Sequence, residues 1–256
     1  IGFEWSANRP LPGNLHRVVI FRDGAQKTEQ VLPFTKFDSQ KPEDLWSYMA
    51  AYQTKTDGEV LAIPHSGNLS QGLMFALKDS DGNSLSTRYA RKRSQWEPLY
   101  EVSQDKGDSE THPVLSPTDE FTDYETWTGT FLLANEGKKG NWKRPYEYAR
   151  SALKLGLKQQ KKLGVNPFKF GLIGSTDSHT SLATADNDNF WGKMTINEPY
   201  AKRILEHRYP GAEASKMGWT LNAAGYVGVW ASENTRQALF TAMKRKEVYA
   251  STGPRM

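Results

Sequence analysis

The chain has 256 residues and a mass of 28.9 kDa, contains no cysteine, and carries 33 basic against 29 acidic side chains, for a net charge of +4 and a pI near 9.0. That length makes one or two domains with a sizeable core. The missing cysteines exclude a disulfide scaffold, a thiolate-held zinc or iron–sulfur site and a thiol nucleophile.

The 8 Trp, 11 Tyr and 11 Phe exclude a disordered chain despite a mean hydropathy of −0.69. No apolar run reaches the roughly 18 residues of a membrane-crossing helix. The small positive excess permits an anionic ligand without requiring one. Its densest clusters, Arg88/Arg91/Lys92/Arg93 and Lys158/Lys161/Lys162, read as solvated faces, and neither forms the continuous stripe of a nucleic-acid binder.

The chain opens on a strand pattern, Ile1-Gly2-Phe3-Glu4-Trp5, and closes just after another, so both ends read as cuts through a larger fold. Val18-Val19-Ile20-Phe21-Arg22 is a β-branched strand running into an Asp23-Gly24 turn. Over 42–55, Leu45, Tyr48, Met49 and Tyr52 recur at helical spacing, Asp57-Gly58 ends the helix, and 59–64 reads as a buried strand. Residues 78–95 are polar and irregular, 98–102 is a short strand, and 103–126 reads as loop.

Pro145 suits the first turn of a helix with an apolar stripe of Ala149, Ala152, Leu153 and Leu157 and a stop at Gly164. The clearest strand is 168–173, running into Gly174-Ser175-Thr176-Asp177-Ser178-His179. A loop over 180–197, a helix over 199–207 and a strand over 226–230 follow. Asn234 with Gln237 resembles a capping box for a last helix that buries Ala238, Leu239, Ala242 and Met243. The alternation of strands and helices predicts an α/β fold with a largely parallel sheet, in a single domain over 1–256.

In Asp177-Ser178-His179 the first and third side chains of an extended segment point the same way, bringing a carboxylate and an imidazole together. Both suit a borderline divalent metal, and α/β folds place functional groups where a strand runs into a loop. A plain Asx turn beside a surface histidine is the simpler alternative. Three further residues repeat the placement: His65 after the strand ending at Pro64, His112 in Ser109-Glu110-Thr111-His112-Pro113, and Glu4 in the opening strand. Histidines and carboxylates without cysteine suit Zn²⁺, Mn²⁺ or Fe²⁺. His16 and His207 fit this pattern less well. No G-x-S-x-G elbow, phosphate loop, dinucleotide fingerprint or H-E-x-x-H is present.

These strings, with 233–236 and 249–255 near the end, resemble the DUF3604 family, a branch similar to the PHP (polymerase and histidinol phosphatase) superfamily. The resemblance runs over nearly the whole chain. It implies a distorted (β/α)₇ barrel with two or three divalent ions at the mouth of the strands. Glu4 would be the bridging carboxylate, His65 and His112 single ligands, and Asp177 and His179 the closing pair.

The superfamily's opening H-x-H strand has no counterpart before Glu4, which implies that an N-terminal segment bearing further ligands belongs to the same protein. The implied activity is a metal-dependent phosphoesterase acting on a small phosphomonoester or phosphodiester, with hydroxide generated at neutral pH by the ions. Lys106 is the leading cation for the transition state, ahead of Arg9, His16 and Arg17; Glu101 and Glu110 are expected to orient histidines. Amide or sulfate-ester hydrolysis, or a non-catalytic metal- or ligand-binding barrel, are the alternatives. Export to a periplasmic or extracellular space is the expectation that relatives suggest.

Overall fold

A computed structural model of the chain describes residues 1–8, 13–124, 126–127, 141–179, 202, 205–207, 217–220 and 225–252. Strands β1 (Gly2–Trp5), β2 (Arg17–Phe21) and β3 (Val60–Pro64) form one antiparallel sheet in the order β1-β2-β3. Glu4 is paired with Val18 and Val18 with Ile63, so the register is continuous across all three strands.

Alternation along the strands then sorts the side chains onto two faces. Trp5, Val19, Phe21 and Ala62 pack with Leu45, Trp46, Met49 and Tyr52 of helix α2 (Pro42–Thr56), which follows the short helix α1 (Ala25–Thr28). On the opposite face, Ile20, Leu61 and Ile63 join Leu99, Ile173 and Phe240 in a second apolar cluster.

Helix α3 (Thr87–Trp96) covers a stretch whose polarity hides it in the sequence. Ser86 caps it by accepting the Tyr89 N–H at 3.2 Å. Its buried face is made by Ala90, Arg93 and Trp96. Arg93 is therefore a core residue rather than part of a solvated basic face. Strand β4 (Leu99–Gln104) is buried along its whole length, pairs in parallel with β6 (Gly171–Gly174) and antiparallel with the short β5 (Gly107–Asp108).

Helix α4 (Ala149–Leu163) ends, as its sequence predicts, on Gly164 in the left-handed conformation at φ 75°. Strands β7 (Val227–Val229) and β8 (Val248–Ala250) form a third, antiparallel sheet flanking helix α5 (Arg236–Arg245). The cap of α5 is Thr235, which accepts the Ala238 N–H at 3.3 Å, and not Asn234. Of the expected helix over 199–207, Lys202, Leu205, Glu206 and His207 are described and lie in turns, a bend and a bridge to Met217 rather than in a helix; the other positions lie outside the described residues. No described helix is long and apolar enough to cross a membrane.

The described strands do not build a (β/α)₇ barrel. That architecture needs successive parallel strands closing on themselves. Here three small sheets form, and β4–β6 is the one parallel pair among the described strands. Among the described residues, no helix lies between β1 and β2. β2 and β3 are antiparallel even though α2 lies between them in the chain. Alternation of element types was a poor guide to strand direction.

Candidate metal centre

In an antiparallel sheet, the end of one strand lies beside the start of the next. The end of β1, the residue before β2 and the residue after β3 therefore share one edge. The His65 N–H donates to the His16 carbonyl at 3.3 Å, which extends the β2–β3 ladder by one pair and sets the two histidines opposite each other. Glu4 lies on the same face, because its partner Val18 is two residues from His16. Asp177 and His179 arrive from the loop after β6, and Lys106 from the turn between β4 and β5.

Two groups of donor atoms result, each lying within 4.8 Å: Glu4, His16 and His65, and Glu4, Asp177 and His179. Glu4 is common to both and turns a different oxygen to each. Its Oε1 lies 2.8 Å from His16 Nδ1 and 3.5 Å from His65 Nε2, and its Oε2 lies 3.8 Å from His179 Nε2. His65 Nε2 is also 4.0 Å from Asp177 Oδ1. Lys106 Nζ makes a 2.5 Å ion pair with Asp177 Oδ2, with both side chains buried.

Each of the three histidines ties its other ring nitrogen to an oxygen acceptor. His16 Nε2 is 3.2 Å from Asn8 Oδ1, His65 Nδ1 is 3.4 Å from the Ile63 carbonyl, and His179 Nδ1 is 2.8 Å from the Asp177 carbonyl. A carbonyl can only accept, so in the neutral ring the proton sits there and the nitrogen turned toward Glu4 is the unprotonated one. Metal-ligating histidines are held in this way.

His16 Nδ1 and His65 Nε2 are buried and make no hydrogen bond, although His16 Nδ1 lies 2.8 Å from Glu4 Oε1. An ion with ligand bonds of about 2.0–2.2 Å keeps its donors roughly 3–3.5 Å apart. The two separations around Glu4 Oε1, 2.8 and 3.5 Å, lie close to that spacing, so the residues could hold a divalent cation.

The electrostatics agree. Burial would raise the Glu4 carboxyl, but His16 and His65 outweigh it and hold the group far below the usual carboxylate range. Burial, helped by Lys106 and His65, lowers His16 to about 4 against the pull of Glu4, leaving a neutral donor ring at pH 7. Burial would also lower His65, but Glu4, Glu101 and Asp177 raise it, which favours the protonated ring, so a metal would have to displace a proton there. Lys106 is raised despite burial, chiefly by Asp177 and Asp105, and is a fixed ammonium.

Two strained residues shape the edge. Ser66 and Asp177 are non-glycine residues in the left-handed region, at φ 57° and 51°. Ser66 is held by Gln104, whose Nε2 donates to its Oγ at 2.8 Å. Asn68 Nδ2 donates to the Lys106 carbonyl at 3.0 Å, and Ser109 Oγ donates to Asn68 Oδ1 at 2.8 Å, fastening the Lys106 turn to the loop after His65. Gly67 is required between them, because a Cβ there would run into Tyr100 Oη and the Glu147 carbonyl.

Of the residues singled out in the sequence, Glu4, His65, Asp177, His179 and Lys106 are brought together at this edge. His112 is in neither of the two donor groups. Its Nδ1 accepts the Val114 N–H at 3.1 Å and its ring lies against Tyr148. The Asp108 carboxylate, accepting the Glu110 and Thr111 N–H groups, fixes the local turn that carries it. Glu110 pairs with Arg150, and Arg17 with Glu97 in the core, so neither serves the site. Arg9 lies outside the described residues.

The donor residue that carried less weight in the sequence is His16. Its signal was a histidine directly before an apolar strand, which matters only if that strand runs antiparallel to its neighbours.

Neither a curated protein nor a solved structure matches the chain. The family described as protein of unknown function (DUF3604) matches it over residues 1–256. The chain belongs to the DUF3604 family.

Proposed function

We propose that this protein is a metal-dependent hydrolase of phosphate esters, with Glu4 shared between two cation positions. The observation that carries the reading is the convergence of three oriented imidazoles on the two oxygens of one carboxylate. The ligand types also agree with the resemblance to PHP hydrolases; the reading rests on the cluster and needs no barrel. His16 Nδ1, His65 Nε2 and Glu4 Oε1 would hold one ion, and His179 Nε2, Asp177 and Glu4 Oε2 the other. Bound divalent ions supply Lewis acidity and lower the pKa of a water ligand toward neutrality.

The chain's own residues do the rest. His179 is the most exposed of the donors, so its side is where substrate enters. Lys106 is an ammonium, and through its three donors it balances Asp177 and orients the oxygens of an anionic ester beside it. A preorganised buried cation is worth far more there than in water. The Asn8 amide and the Ile63 and Asp177 carbonyls keep the imidazole tautomers fixed through the reaction.

The test is hydrolysis of p-nitrophenyl phosphate and bis(p-nitrophenyl) phosphate by the purified chain. The expected result is turnover that is lost on chelation, restored by Zn²⁺ or Mn²⁺, and absent in Glu4→Gln. Stoichiometric metal with no turnover of either ester would contradict the phosphoesterase reading.

A further inference from the structure

On the far face of the first sheet lies a cavity of about 590 Å³ that has no part in the metal centre. Its volume falls within the range of small-molecule sites. Leu15, Leu73, Leu77 and Tyr89 contribute apolar wall. Two arginines also line it, Arg17 at 1% exposure and Arg93 at 4%.

One carboxylate faces these two guanidiniums. Glu97 Oε1 accepts from Arg17 Nε at 3.0 Å and from Trp46 Nε1 at 3.0 Å, and its Oε2 lies 3.2 Å from Arg93 Nε. Burial would raise Glu97, but the two arginines outweigh it and keep it ionised. Two buried cations against one anion leave an excess positive charge beside an apolar cavity.

The carboxylates at the rim are each tied to a neighbour: Asp79 accepts the Asp81 and Asn83 N–H groups, Glu43 accepts from Ser80, and Glu147 accepts the Gly72 N–H. Lys78 lines the rim and Lys143 reaches it by donating to Gln71, so basic side chains stand against these acids there. Each guanidinium has five N–H donors. Beyond Glu97, Arg17 donates to the Leu15 carbonyl at 2.7 Å and Arg93 to the Met74 carbonyl at 2.8 Å. Donors therefore remain on both.

We propose that this cavity is a binding site for a small amphiphilic carboxylate, an alkyl or aryl acid. Its head would sit against Arg17 and Arg93 and its body between the leucines and Tyr89. A planar guanidinium fork matches a carboxylate in geometry and charge, and the apolar wall selects the body. The site is independent of the metal centre, because Arg17 and Glu4 project from opposite faces of the sheet.

The test is calorimetric titration of the full chain with octanoate, 1-octanol and octylammonium. Octanoate is expected to bind saturably, with octanol weaker by at least about tenfold and octylammonium not binding. Ala76→Phe and Leu73→Trp each place bulk in the cavity, and either is expected to abolish octanoate binding while His65→Ala leaves it intact. Absence of saturable octanoate binding, equal binding of octanol, or octanoate affinity unchanged in a folded cavity-filling variant would overturn the proposal.

Discussion

His16 and His65 stand opposite each other across the β2–β3 ladder, joined by a backbone hydrogen bond of 3.3 Å, with ring centroids 5.7 Å apart and ring planes at 83°. The pairing places both rings on the Glu4 face. Replacing either by alanine removes one of the three donors of the Glu4, His16 and His65 group. Metal affinity should fall by more than the roughly 10–100-fold that loss of an outer-shell partner costs. Competition with a chromogenic chelator measures this. His112→Ala should leave the affinity unchanged.

Lys106→Met tests the buried cation separately from the ligands. It should lower kcat for a phosphate ester by about 10²–10³, as removal of one transition-state donor does. Metal affinity should hold or rise, since the competing ammonium on Asp177 is gone. Steady-state kinetics beside metal titration separates the two effects; loss of metal together with activity would make Lys106 a structural residue.

Glu97→Ala strands two guanidiniums in the core. Removing one partner of a buried ion pair costs about 3–5 kcal/mol, so a large drop in the urea midpoint is expected. A change within about 0.5 kcal/mol, the level of an ordinary surface substitution, would contradict the account of this network.

Asp108 supplies a pH dependence. Burial raises its carboxyl to about 7, against the lowering effect of the Glu110 and Thr111 N–H groups. The folded state therefore binds this proton more tightly than the unfolded chain, whose carboxyl has the ordinary value of 3.8. The stabilisation is complete below about pH 4 and is lost as pH rises through about 7. Asp108→Asn keeps a carbonyl acceptor without the charge. It should flatten this part of the stability profile and be more stable than the parent chain at pH 8, by urea unfolding across pH.

Much of this was legible in the chain itself. Period-2 and helical patterns located β2, β3, β4, α2, α4 and α5 to within a few residues, because those elements bury strong apolar stripes. Helix α3 escaped because its inward face includes Arg93, which is buried by pairing with Glu97 and by lying over the Phe168 ring. The donor residues were visible as histidines and carboxylates at strand ends.

Strand direction was not legible. A parallel sheet gathers function at strand C-termini, which drew attention to His112 and away from His16. In the antiparallel sheet that forms, the start of β2 lies at the same edge as the ends of β1 and β3. His112 sits in a turn built around Asp108, a backbone-mediated arrangement with no periodic signature.

The most direct measurement is elemental analysis of the purified chain beside its His16→Ala and His112→Ala variants. The account predicts a divalent transition metal bound stoichiometrically in the parent and in His112→Ala, and strongly depleted in His16→Ala. A parent chain that takes up no metal, or a His16→Ala variant that keeps its metal while His112→Ala loses it, would contradict the centre described around Glu4.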